Sequence, residues 1–147
     1  MTPTQTKLST SPEAMACLNK IFQAEMAGII RYLHYSFMIM GHNRIPIQKW
    51  FRDMATESAS HATIIGEKIT SLGGHPSINA ALIEETNQHG VQNILEESLR
   101  FETETLELYK QLVKLSGDDI ALEELAREFV RNETEHTDEV KKMLRSA

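Results

Sequence analysis

The chain of 147 residues has one cysteine (Cys17), one tryptophan (Trp50), four prolines and seven glycines. A single thiol excludes an intrachain disulfide framework and a thiolate zinc cluster. No apolar run approaches the roughly 18 residues that a membrane span needs. Residues 1–20 lack a charged segment followed by an apolar one, so no secretory leader is read there and a cytoplasmic address is expected. Positive charge is scarce as well: fifteen Lys and Arg stand against twenty-one Asp and Glu, a net charge of −6. That balance argues against a polyanion binder and suits a protein that meets cations. Residues 1–10 hold only Lys7, so no basic tail for nucleic acid is present there.

Strand-like alternation is missing too. What remains is helical periodicity in a chain that is 41% apolar, enough for a core and too much for disorder. The length fits one domain over residues 1–147, with residues 1–10 read as a loose polar tail. Thr10-Ser11-Pro12 predicts the start of a first helix running to Met40, stopped by Gly41. Its apolar stripe is Leu18, Ile21, Phe22, Ile29, Tyr32, Leu33, Phe37 and Met40, with Glu25 and Ser36 among them. Pro46 predicts the start of a second helix, ended by Gly73-Gly74. Residues 75–90 read as a connection with room for a short helical turn. A third helix is expected over 91–115. A fourth follows, capped by Asp118 or Asp119.

Helices of this length are about 40 Å long at ~1.5 Å per residue. The first and last links are short and predict antiparallel hairpins. The 16-residue middle link could span ~50 Å at ~3.3 Å per residue, the full length of a bundle. The expected fold is therefore all-α: a four-helix, up-down-down-up bundle with one long crossover between helices 2 and 3, the ferritin-like connectivity.

Polar residues break the apolar stripes at five places: Glu25, His61, Glu102, Glu133 and His136. A lone buried carboxylate is very unfavourable without a partner or a metal. Glu25 is followed seven residues later by Tyr32, and Glu102 seven residues later by Tyr109. Glu25 precedes His61 by 36 residues and Glu102 precedes His136 by 34, so the two hairpins read as a pseudo-repeat. Glu133-x-x-His136 aims two ligands at one interior point. Carboxylates and imidazoles without thiolates suit iron or manganese in a bridged two-metal site, and zinc shares the same ligands. A core polar network is the alternative. His34, His42, His75 and His89 read as surface histidines, and Glu84-Glu85 as a solvated pair.

These residues resemble the bacterioferritin family and, more broadly, ferritin-like di-iron proteins. Leu18-Asn19-Lys20 with Glu25 and Tyr32 resembles the family's first helix. His61-Ala62, Glu67-Lys68-Ile69 and Leu72-Gly73-Gly74-His75-Pro76 resemble the end of its second. Arg131-Asn132-Glu133-Thr134-Glu135-His136 resembles its last ligand motif. The resemblance covers residues 15 to 145. It implies a ferroxidase centre of two iron ions per subunit, with Glu25 and Glu102 as terminal carboxylates, Glu133 bridging, His61 and His136 as imidazole ligands, and Tyr32 beside the metals. The implied activity is oxidation of Fe²⁺ by O₂ or H₂O₂, serving iron storage or detoxification if a cage forms. A rubrerythrin-like peroxidase without mineral storage and a non-enzymatic helical dimerisation module are the alternatives.

Three departures from the family pattern stand out. Ser58 occupies the place of the second bridging Glu, three before His61. Glu57, one residue earlier and rotated about 100° on a helix, is kept as a further candidate ligand. Ala59 stands where the family has its haem-ligating Met, so haem is not expected. Eleven residues follow His136, short of the family's fifth helix. The expected homo-oligomer is therefore a dimer or a 12-subunit cage rather than a 24-subunit shell.

Overall fold

The computed structural model describes residues 7–145. Among them it holds four helices and no strand: α1 (Pro12–Met38), α2 (Arg44–Ser71), α3 (Val91–Leu115) and α4 (Ile120–Leu144). At the start of α1 the Ser11 side chain accepts the Ala14 N–H, and Pro12 sits where a missing N–H is harmless. The Asp119 side chain does the same for Leu122 at the start of α4.

Two boundaries differ from the sequence expectation. α1 ends at Met38, two residues early, because Ile39 turns extended and is fully buried while Met40 is exposed. α2 begins at Arg44, so Pro46 is its third residue; the first-turn N–H groups have no helical partner, and proline fits there. The α2 exit matches expectation. Gly73 takes φ +84° and the Gly74 N–H returns to the Ile69 carbonyl. Residues 75–90 form no helical turn.

Of the tail expected over residues 1–10, residues 1–6 lie outside the described part. Leu8 packs on the core and the Ser9 N–H donates to the Leu72 carbonyl at 2.9 Å.

The crossover lies along α1, as its hydrogen bonds record in order. The Ser77 N–H donates to Asn19 Oδ1, the Ala81 N–H donates to the Gln23 carbonyl, and Glu85 meets His34. The chain leaves α2 near the start of α1 and enters α3 near the end of α1. Helix α3 then runs back past it, with Tyr35 beside Glu97, Tyr32 beside Glu102, and Glu25 beside Tyr109. Helices α2 and α3 therefore run the same way.

Two apolar clusters fill the bundle, one at each end. The first gathers Leu18, Ile21, Ile65, Ile69, Tyr109, Leu112, Leu122 and Phe129. The second gathers Tyr32, Tyr35, Ile39, Phe51, Met54, Ile94, Leu95 and Val140. Each fully buried Ile or Leu contributes roughly 1.5–3 kcal/mol. On every helix the gap between the two clusters falls at the same level: near Glu25, His61, Glu102, and Glu133 with His136. The hydrophobic ends thus hold a polar middle layer in register.

The α1 stripe is corrected at three positions. Leu33, Phe37 and Met40 face outward, at 38%, 54% and 67% exposure, while Tyr35 faces in at 3%. Midway along α1 the inner face runs through Ala24, Ala27 and Gly28. A Cβ placed on Gly28 would sit 2.8 Å from Ser58 Oγ, so the two backbones are close and the bulky flank of α1 is left outside. No helix among the described residues is long and apolar enough to cross a membrane.

Candidate metal centre

All six candidate ligands named from the sequence come together at the middle layer. Glu25, Glu102 and Glu133 are each 3% exposed and His61 is 5% exposed. Two trios have ligand atoms within 4.8 Å of one another: Glu25, His61 and Glu133, and then Glu102, Glu133 and His136. Glu133 belongs to both. Its Oε1 lies 3.7 Å from His61 Nδ1 and its Oε2 lies 3.7 Å from His136 Nδ1. Glu25 Oε2 is 3.6 Å from His61 Nδ1, and Glu102 Oε2 is 3.8 Å from His136 Nδ1.

Glu57 sits on the other side of the rings. Its two oxygens approach the outer nitrogens, 2.9 Å from His136 Nε2 and 3.6 Å from His61 Nε2. Its side chain is 38% exposed, so it forms the solvent side of the layer. A carboxylate in that place orients the imidazoles with Nδ1 inward, the usual support for metal-ligating histidines. Ser58, buried against Gly28, brings no carboxylate to the layer.

Two tyrosines brace the carboxylates crosswise. Tyr32 on α1 donates its hydroxyl to Glu102 Oε1 on α3. Tyr109 on α3 donates to Glu25 Oε1 on α1 at 3.0 Å. Tyr109 was not among the sequence candidates. The signal for it was the shared seven-residue step from Glu102, which matches the step from Glu25 to Tyr32.

Charge in this layer is poorly balanced by protein alone. Burial, with the neighbouring Glu133 charge, raises the Glu25 carboxyl against the pull of His61. Burial and the Glu102 charge push Glu133 well above the usual carboxylate range. Burial pulls the imidazoles down, but the carboxylates outweigh it: His61 is raised, and His136 is pushed up to about 12. Hydrogen bonding to His136 lowers Glu57 despite its partial burial. Burial, then the Glu25 and Glu133 charges, lift the Tyr109 phenol well above its ordinary value, which keeps it a donor.

Four buried polar atoms have no hydrogen-bond partner here: His61 Nδ1, Glu102 Oε2, Glu133 Oε2 and His136 Nδ1. Such atoms are rare in folded proteins, since each loses its water without replacement. Here they face one another, and all four are metal-ligand types. The donor set fits a pair of divalent ions with Glu133 between them. By contrast, a surface groove of about 520 Å³ on the outer side of α3 and α4 is lined by none of these residues. Its Lys110, Arg127 and Arg131 are already paired with Glu107, Glu123 and Glu135.

The same architecture is found in known proteins. The sequence profile of the ferritin family, described as a ferritin-like domain, matches residues 15–147, and the chain belongs to that family. Its fold is similar to that of a ferritin-like, diiron-carboxylate protein from Bacillus anthracis, with TM-score 0.86 and 24% identity over 90% of this chain and 96% of that one. It is similar to the Desulfovibrio desulfuricans bacterioferritin, with TM-score 0.82 and 23% identity over 90% and 78% of the two chains. A dodecameric thioferritin from Bacteroides fragilis, a bacterioferritin-related protein, aligns with TM-score 0.84 and 19% identity over 90% and 84%. At these identities the likeness establishes the fold. No curated protein matches the chain in sequence.

Proposed function

We propose that this protein is a ferroxidase-type oxidoreductase, taking Fe²⁺ as substrate and O₂ or H₂O₂ as oxidant. The observation that carries the reading is the set of four unpartnered buried atoms on His61, Glu102, Glu133 and His136, facing one space from α2, α3 and α4. Two bound iron ions would supply one electron each, together reducing O₂ to H₂O₂ or H₂O₂ to water.

The residues divide the work. Glu25 with His61 would hold one ion, Glu102 with His136 the other, and Glu133 both. Tyr32 and Tyr109 fix the far oxygens of Glu102 and Glu25, leaving the near oxygens free for metal. Glu57 holds the outer imidazole nitrogens and, being partly exposed, offers incoming cations their first carboxylate. The apolar clusters on both sides keep bulk water out of the layer. With net charge −6 the whole chain attracts Fe²⁺.

Homo-oligomer formation belongs to the same reading. Ile30, Leu33 and Phe37 form an outward apolar row on α1, continued by Met40 just past its end, and the surface of a second copy would cover it. A dimer or a 12-subunit cage is the expected assembly, as the Bacteroides fragilis relative is dodecameric. Storage or detoxification of iron follows where a cage closes.

The test is Glu133→Ala, which removes the one residue common to both trios. Fe²⁺ oxidation should fall to the uncatalysed background, with loss of both metal equivalents. An unchanged rate in the variant would overturn the reading. Peroxide turnover by a dimer that accumulates no iron would favour a peroxidase of the rubrerythrin type.

A further inference from the structure

His34 and His89 were read from the sequence as surface histidines and Glu84-Glu85 as a solvated pair. Their side chains are indeed partly exposed, at 42% for His34, 47% for Glu85 and 29% for His89, and the structure joins the three in one cluster where the crossover passes α1. Glu85 Oε2 lies 2.7 Å from His34 Nε2, and Glu85 Oε1 lies 3.3 Å from His89 Nε2. The two imidazole rings stand edge to face with centroids 5.7 Å apart. One ligand atom from each residue lies within 4.8 Å of the others. This cluster shares no residue with the middle layer.

The chain is shaped to make the cluster. Asn87 adopts φ +58°, the one described non-glycine residue with positive φ, and its N–H donates to Glu85 Oε1 at 2.7 Å. That turn brings His89 back beside Glu85. Thr86 donates to Glu97 on α3, and Tyr35 donates to the other Glu97 oxygen at 3.0 Å. The segment is thus held against both α1 and α3.

A second observation points to a ligand. The Nε2 atom of His34 is shielded from solvent, although the side chain is 42% exposed, and it makes no hydrogen bond with good geometry even though a Glu85 oxygen stands 2.7 Å away. It is an imidazole nitrogen crowded by a carboxylate and left unsatisfied. At ~2.0–2.1 Å bond lengths tetrahedral ligand atoms stand roughly 3.3 Å apart, the separation found between Glu85 and His89, while Glu85 and His34 stand closer than that at 2.7 Å. A cavity of about 210 Å³ lined by His34, Tyr35, Glu84, Glu85 and Glu97 adjoins the cluster and has room for water ligands. Arg31 is the nearby cation. It is engaged with the Tyr35 hydroxyl at 3.0 Å and stacked on Phe101, with Glu84 and Glu97 close by to offset it.

We infer that His34, Glu85 and His89 form a second metal site, independent of the middle layer, for one divalent first-row transition ion. Two imidazoles and one carboxylate select Zn²⁺, Fe²⁺ or their neighbours over Mg²⁺ and Ca²⁺, which prefer all-oxygen sites. The bound ion clamps the crossover onto α1.

The probe is Zn²⁺ alone, titrated into the full chain by calorimetry and equilibrium dialysis. His34→Ala/His89→Ala is expected to bind one fewer Zn²⁺ per chain than the unaltered protein, with Fe²⁺ oxidation unchanged. Glu133→Ala/His136→Ala is expected to retain that ion. Zn²⁺ should slow amide exchange over residues 83–90 in the unaltered protein and not in His34→Ala/His89→Ala. Equal Zn²⁺ binding and equal exchange in those two proteins would overturn the inference. So would the same loss of Zn²⁺ in a His42→Ala/His75→Ala control, which would mark general binding to exposed imidazoles.

Discussion

The two hairpins of the bundle contribute to the middle layer almost as mirror halves. Helices α1 and α2 bring Glu25 and His61; α3 and α4 bring Glu102 and His136. Each half lends a tyrosine to the other's carboxylate. The symmetry fails just before each histidine. Three residues before its histidine the second hairpin has Glu133, buried between both imidazoles, and the first has Ser58, packed against Gly28. One inner carboxylate therefore serves both trios, and a second, Glu57, has moved outside to the Nε2 atoms. Equivalent backbones thus do unequal electrostatic work when two neighbouring side chains differ, Glu57-Ser58 in one hairpin and Asn132-Glu133 in the other.

That inequality can be tested from its largest consequence down. In the metal-free state both halves hold protons more tightly than free side chains do: burial raises the Glu25 and Glu133 carboxyls, and the surrounding carboxylates raise His136 against its burial. Metal must displace those protons, so binding releases acid and weakens as pH falls, tenfold per pH unit for each proton displaced. Calorimetry in buffers of different ionisation heat counts them. For stability without metal the sign is opposite. The raised His136 contributes in full below its ordinary 6.5, and that contribution is lost as pH climbs toward about 12.

The next effect concerns Glu57. Glu57→Ala should weaken metal binding by roughly 10–100-fold, the usual size for a carboxylate that orients histidine ligands. The loss should fall more on the His136 half, where the contact is 2.9 Å against 3.6 Å. Titration of ions into the two sites reads the difference. The smallest effect is a matched pair. Tyr32→Phe and Tyr109→Phe each remove one hydrogen bond to a buried carboxylate, at about 1.5–3 kcal/mol by denaturant unfolding. Similar values for the two would confirm that the halves are equivalent at this level.

Much of this was legible beforehand because helices repeat. Glu133-x-x-His136 could be read from one helix, and the crossover from the length of one link. The outer contact of Glu57 to both Nε2 atoms could not, since it depends on how α2 turns once Gly28 admits Ser58. The outward row Leu33, Phe37 and Met40 misled for the same reason: a helix alone does not say how close its neighbour comes. Tyr109 was half-visible as a repeat, but its partner Glu25 lies 84 positions away in the sequence. His34 meets Glu85 through a loop turned at Asn87, and no periodic pattern encodes such a turn.

The crossover laid along α1 has a last consequence. It is the only covalent link between two hairpins that each own half of the ligands. A chain nicked beside Asn87 would leave two complementary fragments: residues 88–147 keep Glu102, Glu133 and His136 together, while residues 1–87 hold Glu25 and His61 without the Glu133 that completes their trio. Filling the Glu25, His61 and Glu133 trio would then require reassembly, and the ion held there would act as the fastener once the peptide tether is gone.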